Sequence, residues 1–177
     1  MIQFKNFINE KTKLIGIKEK FKIDVYNNYI DFLKDHFKIT EDIELSVRKP
    51  SKNVMFGYID LVSMSKGKYK IIVQDGSLST VLSRIAHEYT HVAQFLKGHL
   101  NYTDDLQHIL WYDNEYISIK ELQNVTKNLD EYKKLPWEAE AYKNQADMNK
   151  IYEKSHFFKD LKDSADDTLK FVLDNLF

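Results

Sequence analysis

The sequence is notable first for what it lacks, because none of its 177 residues is a cysteine. A chain without thiols has no disulfide framework, and it can hold a metal ion only through nitrogen and oxygen ligands. The absence of cysteine also fits a reducing compartment. Residues 1–5 begin no long apolar segment of the kind found in secretory signal peptides, so we expect a cytoplasmic protein.

Long apolar runs, linkers and clusters of one charge are also missing. No stretch approaches the roughly 20 apolar residues of a membrane-spanning helix, so we expect no membrane partner. The 26 basic residues are offset by 27 acidic residues, and no clustered basic face predicts nucleic-acid binding. With no repeat or low-complexity linker and a length that suits one core, residues 1–177 are predicted to form a single domain.

Residues 87–91 read H-E-Y-T-H, which fits the pattern H-E-x-x-H within a segment of helical periodicity. Positions i and i+4 of a helix project from one face, so His87 and His91 can offer two imidazole nitrogens to one metal ion. Glu88 lies beside them and is placed to accept a proton from a water molecule that the ion activates. Zinc suits this site, because it accepts nitrogen and oxygen ligands and keeps a position open when the protein supplies three.

Coincidence is the alternative, since so short a pattern arises by chance in about one percent of chains of this size. The residues around the motif argue against coincidence, because they are mostly apolar: Val81, Leu82, Ile85, Ala86, Tyr89, Val92, Ala93, Phe95 and Leu96. A helix that is apolar around most of its circumference is expected to be buried, and buried histidine and glutamate side chains need partners. A metal ion supplies them, and the sequence predicts one zinc ion per chain.

A third ligand should lie downstream, and the best candidate segment is L-P-W-E-A-E-A-Y at residues 135–142. Pro136 suits the first turn of a helix, and negative charge at Glu138 and Glu140 is favoured near a helix N-terminus. The two glutamates lie about 200° apart around a helix, so only one can face the metal. The residues alone leave both open, together with the alternative that both interact only with the helix dipole.

Three segments together resemble a known family. These are H-E-Y-T-H-V-A-Q-F at residues 87–95, Trp111 with its polar and aromatic neighbours, and P-W-E-A-E-A-Y at residues 136–142. They resemble small, largely uncharacterised zincin-like metallopeptidases, many of them encoded by bacteriophages. The resemblance covers about residues 80–145, and residues 1–75 and 150–177 carry no matching signature.

The resemblance implies the ligand set His87, His91 and Glu138. In related gluzincins the ligand glutamate begins an E-x-x-x-D or E-x-x-x-N pattern, and Glu138 occupies that position here. Tyr142 replaces the acidic or amide residue of the pattern, so Glu140 remains the alternative ligand. The implied activity is hydrolysis of a protein or peptide substrate, with Glu88 as general base.

Other assignments remain open beside a peptidase. One is a cell-wall amidase-type zinc hydrolase, and another is a non-catalytic binding module stabilised by zinc. Glu88 argues against the module, because a purely structural zinc site has four protein ligands and needs no base. Side chains that could donate to a substrate carbonyl are Tyr142, His99, His108 and Tyr112, each of which is more commonly a packing or surface residue. Gln94 is placed to hydrogen-bond a metal ligand.

Hydrophobic periodicity predicts an α+β fold. The resemblance implies that the fold is of zincin type, in which a small mixed or antiparallel sheet packs on the buried motif helix and further helices follow. Helices are predicted at residues 18–38, 136–153 and 157–175, and the motif helix runs from Ser77 or Ser79 to Gly98. Strands are predicted at residues 42–47, 54–64 and 69–73, with a bulge at Gly57, a hairpin turn at residues 66–68 and a second hairpin around residues 113–114. The strand at residues 69–75 is the candidate edge for peptide binding, with a core strand as the alternative.

Overall fold

The computed structural model describes residues 12–17, 19–50, 57–59 and 69–177. Over these residues it is a mixed α and β structure, in agreement with the predicted α+β class. Its elements, in chain order, are β1 (Thr12–Ile15), α1 (Lys20–Phe37), β2 (Ile43–Arg48), β3 (Gly57–Ile59), β4 (Tyr69–Gln74), α2 (Leu78–Leu96), β5 (Leu100–Tyr102), β6 (His108–Trp111), β7 (Asn114–Ser118), α3 (Ile119–Val125), α4 (Leu129–Tyr132), α5 (Pro136–Glu153), α6 (His156–Ser164) and α7 (Asp167–Asp174). No helix in this described part is long and apolar enough to span a membrane.

A four-stranded sheet with the order β1-β2-β4-β3 supports the main core. The first three strands of that order run parallel, and β3 runs antiparallel to β4. The sheet is therefore mixed, and Leu45, Ile71 and Val73 are buried in the core that it shares with α1, α2 and the C-terminal helices.

The prediction that residues 69–75 form an edge strand is wrong. β4 lies between β2 and β3, so both of its sides are hydrogen-bonded, and β3 is the outermost strand on that side among the described residues. β3 falls within the strand predicted at residues 54–64. The rest of that segment and the turn predicted at residues 66–68 lie outside the described residues. Gly57, Tyr58 and Ile59 pair in continuous register with β4, so the described residues 57–59 contain no bulge.

Helix α2 begins and ends where the sequence predicts. The Ser77 side chain accepts a hydrogen bond from the backbone N–H of Thr80, which satisfies one of the free donors at the helix start. The helix ends at Leu96, and Gly98 follows in a left-handed conformation with φ +73°. Between these ends α2 buries an apolar face against the sheet, α1 and α5, formed by Val81, Leu82, Ile85, Ala86, Tyr89, Val92 and Ala93.

The C-terminal region contains two helices where one was predicted at residues 157–175. Ala165 is extended, with φ −74° and ψ 143°, and it separates α6 from α7. The Asp166 carboxylate then accepts a hydrogen bond from the Leu169 N–H at 2.9 Å and caps the second helix. Helix α5 matches its prediction, with Pro136 in the first position.

An insertion segment, residues 97–135, connects α2 to α5. It contains the antiparallel sheet β5-β6-β7 and the short helices α3 and α4. Its apolar side chains and Trp137 of α5 form a second hydrophobic cluster, separate from the main core and centred on Leu100, Ile109, Leu135 and Trp137. The β6–β7 turn consists of Tyr112 and Asp113, with φ of 49° and 61°, one residue earlier than predicted.

Candidate metal centre

Two antiparallel helices carry the predicted metal ligands. His87 and His91 project from one face of α2, and Glu138 lies in the first turn of α5. Hydrogen bonds at both ends of this pair hold the helices together. Gln94 donates to the Trp137 carbonyl at 3.0 Å, and Asn149 donates to the Ser83 hydroxyl at 2.9 Å.

The three side chains bring their ligand atoms together, as the sequence predicts. The Nε2 atoms of His87 and His91 are 3.2 Å apart. The Glu138 carboxylate lies 3.2 Å from His87 Nε2 through Oε2 and 3.3 Å from His91 Nε2 through Oε1. Ligand atoms placed tetrahedrally at about 2.0–2.1 Å from a zinc ion are about 3.3–3.4 Å apart. This group could hold a metal ion.

One buried polar atom also fits a bound cation. Glu138 is 3 % exposed, and its Oε2 atom makes no hydrogen bond of acceptable geometry despite its approach to His87. An unpaired buried carboxylate oxygen is costly, and coordination to a cation would remove that cost at Oε2.

Gln94 fixes the orientation of the His91 ring. Its amide nitrogen donates to the Trp137 carbonyl and to Glu140 Oε2, both at 3.0 Å, so its amide oxygen must face His91. That oxygen lies 2.8 Å from His91 Nδ1, which therefore carries the proton of the hydrogen bond. In the neutral ring, Nε2 then presents its lone pair to His87 and Glu138, as a metal ligand requires. The predicted role of Gln94 beside a ligand thus matches the geometry.

Tyr132, in α4, holds the Glu138 carboxylate and was not predicted. Its hydroxyl donates to Glu138 Oε1 at 2.6 Å, which leaves Oε2 directed towards His87. Burial and the neighbouring Glu138 carboxylate raise the pKa of Tyr132, so its hydroxyl keeps the proton that it donates. The sequence gives no signal for this contact, because α4 is a separate short helix brought to the site by the insertion segment.

The structure groups Glu138, and not Glu140, with the two histidines. Glu140 Oε2 instead accepts the hydrogen bond from Gln94, so this carboxylate lies beside the amide that positions His91. The two glutamates therefore occupy different places around α5, as the helical geometry requires.

Charge within the group shifts its ionisation. Burial alone would raise the pKa of Glu138, but its contacts with His87 and His91 outweigh burial and lower the pKa to about 2. Burial alone would lower the pKa of His91, but the Glu138 carboxylate raises it to about 9. In the metal-free protein, a proton on His91 therefore occupies the place that a cation would take.

Glu88 directly follows His87 in α2, but its side chain faces strand β3. Its carboxylate is buried against β3, and a Cβ atom built on Gly57 would lie only 2.5 Å from Glu88 Oε1. Glycine at position 57 therefore provides the space that the carboxylate occupies. Burial raises the pKa of Glu88 above its ordinary value.

A cavity of about 720 Å³ opens along α2, and His87, Glu88, His91 and Glu138 all line it. On one side lies β3. On the other side lies an apolar wall, consisting of Phe95, Leu100, Tyr102, Ile109, Leu122 and Leu129. A cavity of this size is within the range of ligand pockets, so the group is accessible to a molecule larger than water.

Of the four side chains proposed as carbonyl donors, only Tyr142 lines this cavity. Its ring centre lies 4.6 Å from that of His87. His99 and Tyr112 stack on each other at 4.4 Å in the insertion segment, and His108 lies 3.3 Å from Glu115. These three residues therefore have packing or surface contacts away from the metal group.

Comparison of the chain with protein-family models, with curated proteins and with solved structures gives no match. The geometry of this site is therefore the basis for assigning a function.

Proposed function

We propose that the protein is a zinc-dependent metallopeptidase in which His87, His91 and Glu138 hold one zinc ion and Glu88 is the general base. The observation that carries the proposal is the grouping of His87, His91 and Glu138 at the side of a cavity that Glu88 also lines. The two histidine Nε2 atoms are 3.2 Å apart, and each lies 3.2–3.3 Å from one of the two oxygens of the Glu138 carboxylate. Two histidines and one glutamate are a donor set of catalytic zinc sites, which keep an open position. The resemblance to zincin-like metallopeptidases and the zincin-type fold belong to the same proposal.

The donor set favours catalysis over a structural role. A structural zinc site is closed by four protein ligands, whereas the described residues bring three together. The group also lies against a cavity rather than inside the core. These two observations favour a hydrolase over the zinc-stabilised binding module, and no feature of the cavity specifically favours an amidase of the cell wall.

Zinc bound by this group would supply Lewis acidity, which polarises a carbonyl and eases the ionisation of water. The protein's own residues supply the remaining steps. Glu88 accepts a proton from the attacking water and returns it to the leaving amine. Gln94 keeps the His91 Nε2 lone pair directed at the site, and Tyr132 keeps Glu138 in place. Tyr142 is placed beside His87 to donate its hydroxyl to the substrate carbonyl.

The edge strand β3 provides a place for an extended substrate. β3 is outermost in its sheet among the described residues, and its first residue, Gly57, contacts the base Glu88. A peptide that adds to this edge by backbone hydrogen bonds would run past Glu88. β3 thus takes the peptide-binding role for which the strand at residues 69–75 was the candidate.

The decisive experiment compares the wild type with Glu88→Gln. Glutamine has the shape of glutamate but cannot accept a proton from water at neutral pH, so the variant should keep zinc and lose hydrolysis by about a hundredfold to ten-thousandfold. Both proteins are loaded with zinc, checked by elemental analysis for one ion per chain, and incubated with a proteome-derived peptide library. Mass spectrometry then counts new termini between about pH 6 and 8.

Two results would contradict the proposal. One is less than a tenth of an equivalent of zinc after loading. The other is a zinc-loaded wild type that produces no more cleavages than Glu88→Gln, and this result would favour the non-catalytic module.

A further inference from the structure

Two hydrogen-bonding side chains of α2 lie beside the metal group and have no part in the proposed chemistry. Ser83 and Arg84 precede His87 by four and three residues, and both line the cavity. Residues three and four apart in a helix are neighbours on one face, so both side chains lie on the His87 side of α2, one turn before it. The Gln145 amide, from α5, also lines the cavity. The cavity therefore offers polar groups next to the metal ligands as well as an apolar wall.

A chain of hydrogen bonds leaves the Ser83 proton to the cavity. Tyr29 is fully buried, and its hydroxyl donates to the Asn149 side-chain oxygen at 2.8 Å. The Asn149 amide nitrogen therefore faces Ser83 and donates to the hydroxyl oxygen at 2.9 Å. An amide nitrogen that donates does not accept, so this contact leaves the Ser83 proton unused, and the proton finds no acceptor among the described residues. Because Ser83 lines the cavity, it can donate to a ligand there.

Arg84 brings a positive charge to the same place. Its Nη1 atom donates to the carbonyls of Gln74 and Asp75, at 2.7 and 3.3 Å, so the end of β4 fixes the guanidinium. A guanidinium carries five N–H groups in a rigid fork, so an arginine held in this way can also contact a ligand. Among the described residues that line the cavity, the only acidic ones are Glu88 and Glu138. Both take part in the proposed metal chemistry, so an acidic ligand would meet no further negative charge from these lining residues.

We propose that Ser83 and Arg84 form a subsite for a carboxylate of the substrate, on a residue next to the peptide bond that is cut. This inference rests on the proposed function, since it places the carboxylate beside the zinc group. A hydroxyl that can only donate and a guanidinium both require an acceptor. Hydrogen bonds to an ionised acceptor are roughly twice as strong as those to a neutral one, so a carboxylate suits the pair better than an amide or a hydroxyl.

The spacing along α2 sets the position of this carboxylate. Ser83 and His87 are four residues apart, which is about 6 Å along the helix axis. An extended peptide spans about 3.5 Å per residue, so a substrate whose carbonyl lies at the metal group reaches Ser83 with the residue that flanks the cut. The carboxylate is either an acidic side chain of that residue or the terminal carboxylate of a peptide that ends there. Both present the same chemistry, and the probes below separate them.

The test measures binding of hydroxamates, which anchor on the metal, to zinc-loaded protein. Each of three pairs compares a carboxylate with its neutral amide. Malonyl hydroxamates of alanine and alaninamide test a terminal carboxylate, and those of glutamic acid α-amide and glutaminamide test a side chain on the amine side. The α-hydroxamates of N-acetylglutamate and N-acetylglutamine test a side chain on the acyl side. In at least one pair the carboxylate should bind about ten- to a hundredfold tighter, and that pair identifies the source.

Variants assign the preference to these two residues. Arg84→Gln removes the charge and Ser83→Ala removes the hydroxyl, and each should reduce the carboxylate-to-amide affinity ratio of the preferred pair at least fivefold. Arg84→Lys should keep part of the ratio, because it restores the charge without the planar fork. Zinc content, measured for each variant, shows whether the metal group is intact.

Two matched controls should leave the ratio unchanged. Arg48→Gln makes the same change of charge at an exposed arginine that does not line the cavity. Ser164→Ala removes a serine hydroxyl of α6 that donates to the Leu161 carbonyl.

Three outcomes would overturn the subsite. The first is equal affinity within all three pairs. The second is a ratio that either Arg84→Gln or Ser83→Ala leaves unchanged. The third is an equal loss in Arg48→Gln and Arg84→Gln, which would show a response to the overall charge of the protein.

Failure to bind zinc would overturn the proposed function separately. The subsite would then be decided in chelator by isothermal titration calorimetry, with N-acetylalanine against N-acetylalaninamide and N-acetylglutamic acid α-amide against N-acetylglutaminamide. Tighter binding of a carboxylate compound to the wild type, but not to Arg84→Gln, supports the subsite. Equal binding of the carboxylate and amide compounds refutes it.

Discussion

The Gln94 amide explains why Glu138 and Glu140 have different surroundings. One amide faces His91 through its oxygen and faces Trp137 and Glu140 through its nitrogen, so it ties the metal group to the start of α5. Glu138 lies inside this arrangement with the histidines, whereas Glu140 lies on the other side of the amide. At the scale of single residues, their substitution should therefore have different effects.

Glu138→Ala should lower zinc affinity at least tenfold, because it removes one of three ligand atoms. Glu140→Ala is the matched control and should change zinc affinity little, since it removes only a hydrogen-bond partner of Gln94. Competition with a chromogenic chelator measures both. The reverse ranking would make Glu140 the ligand and would contradict the assignment made from the geometry.

Gly57→Ala should impair hydrolysis while zinc binding persists. The added methyl group would lie 2.5 Å from Glu88 Oε1, so the carboxylate must move, and the three atoms nearest to the methyl group all belong to Glu88 rather than to a metal ligand. A displaced base should reduce the rate by at least tenfold. Peptide cleavage and zinc content are measured together. Gly76→Ala provides the comparison, because Gly76 is not in the left-handed region and the atom nearest to an added Cβ is Arg84 Nη1, at 3.4 Å. Equal activity of Gly57→Ala and wild type would show that Glu88 does not depend on this space.

The sequence predicts which side chains group at the site better than it predicts the contacts that hold those side chains in place. His87, Glu88 and His91 lie within one helical turn, so their common placement follows from helix geometry alone. Glu138 required the resemblance to a family, because helical geometry could not choose between two glutamates. Tyr132 reaches Glu138 from another element, and no local pattern encodes a contact that depends on how α4 packs.

At the scale of elements, capping explains most of the boundaries. Ser77 and Gly98 mark the ends of α2 in the sequence and in the structure. Asp166 is the same kind of signal, and the single helix predicted at residues 157–175 did not take it into account. Strand order is different, since pairing depends on distant residues. The interior position of β4, and the outermost position of β3 among the described strands, could therefore not be predicted from either strand alone.

Lys38, at the end of α1, has a strained backbone conformation, and a substitution can relieve that strain. Lys38 adopts a left-handed conformation, with φ 58° and ψ 45°, which glycine adopts without steric cost. Lys38→Gly should therefore stabilise the protein by about 1 kcal/mol, because the exposed ion pair with Asp35 contributes little.

Chemical denaturation measures the change. Lys154→Gly is the control, since Lys154 also follows a helix but has φ −93° in the right-handed region. It should give no gain, and an equal gain in both variants would argue against relief of strain.

At the scale of the whole molecule, the metal group couples stability to pH. The pKa of His91 is raised to about 9 in the folded metal-free protein, above the ordinary value of 6.5. This contribution is therefore fully present below pH 6.5 and is lost as the pH rises towards 9. In chelator, the unfolding temperature should fall over that interval.

Zinc should reverse the sign of this dependence. Binding requires His91 without its Nε2 proton, so affinity, and with it the stabilisation by zinc, increases as protons are removed. The unfolding temperature with zinc should rise over the interval in which it falls without zinc. Differential scanning calorimetry in both conditions measures the two slopes. His91→Gln should flatten both slopes, and a parallel fall with and without zinc would indicate an ion pair that binds no metal.

The position of the insertion segment between α2 and α5 has a consequence for how this protein can diverge. Both helices keep their ligands aligned through contacts of their own, Gln94 with Trp137 and Ser83 with Asn149. Selection on substrate choice can therefore act on the intervening segment while the ligand set and base remain intact. Tyr132 is the exception, because it belongs to that segment and holds Glu138. Lineages that adapt to new targets are expected to vary other residues of this segment and to retain this tyrosine.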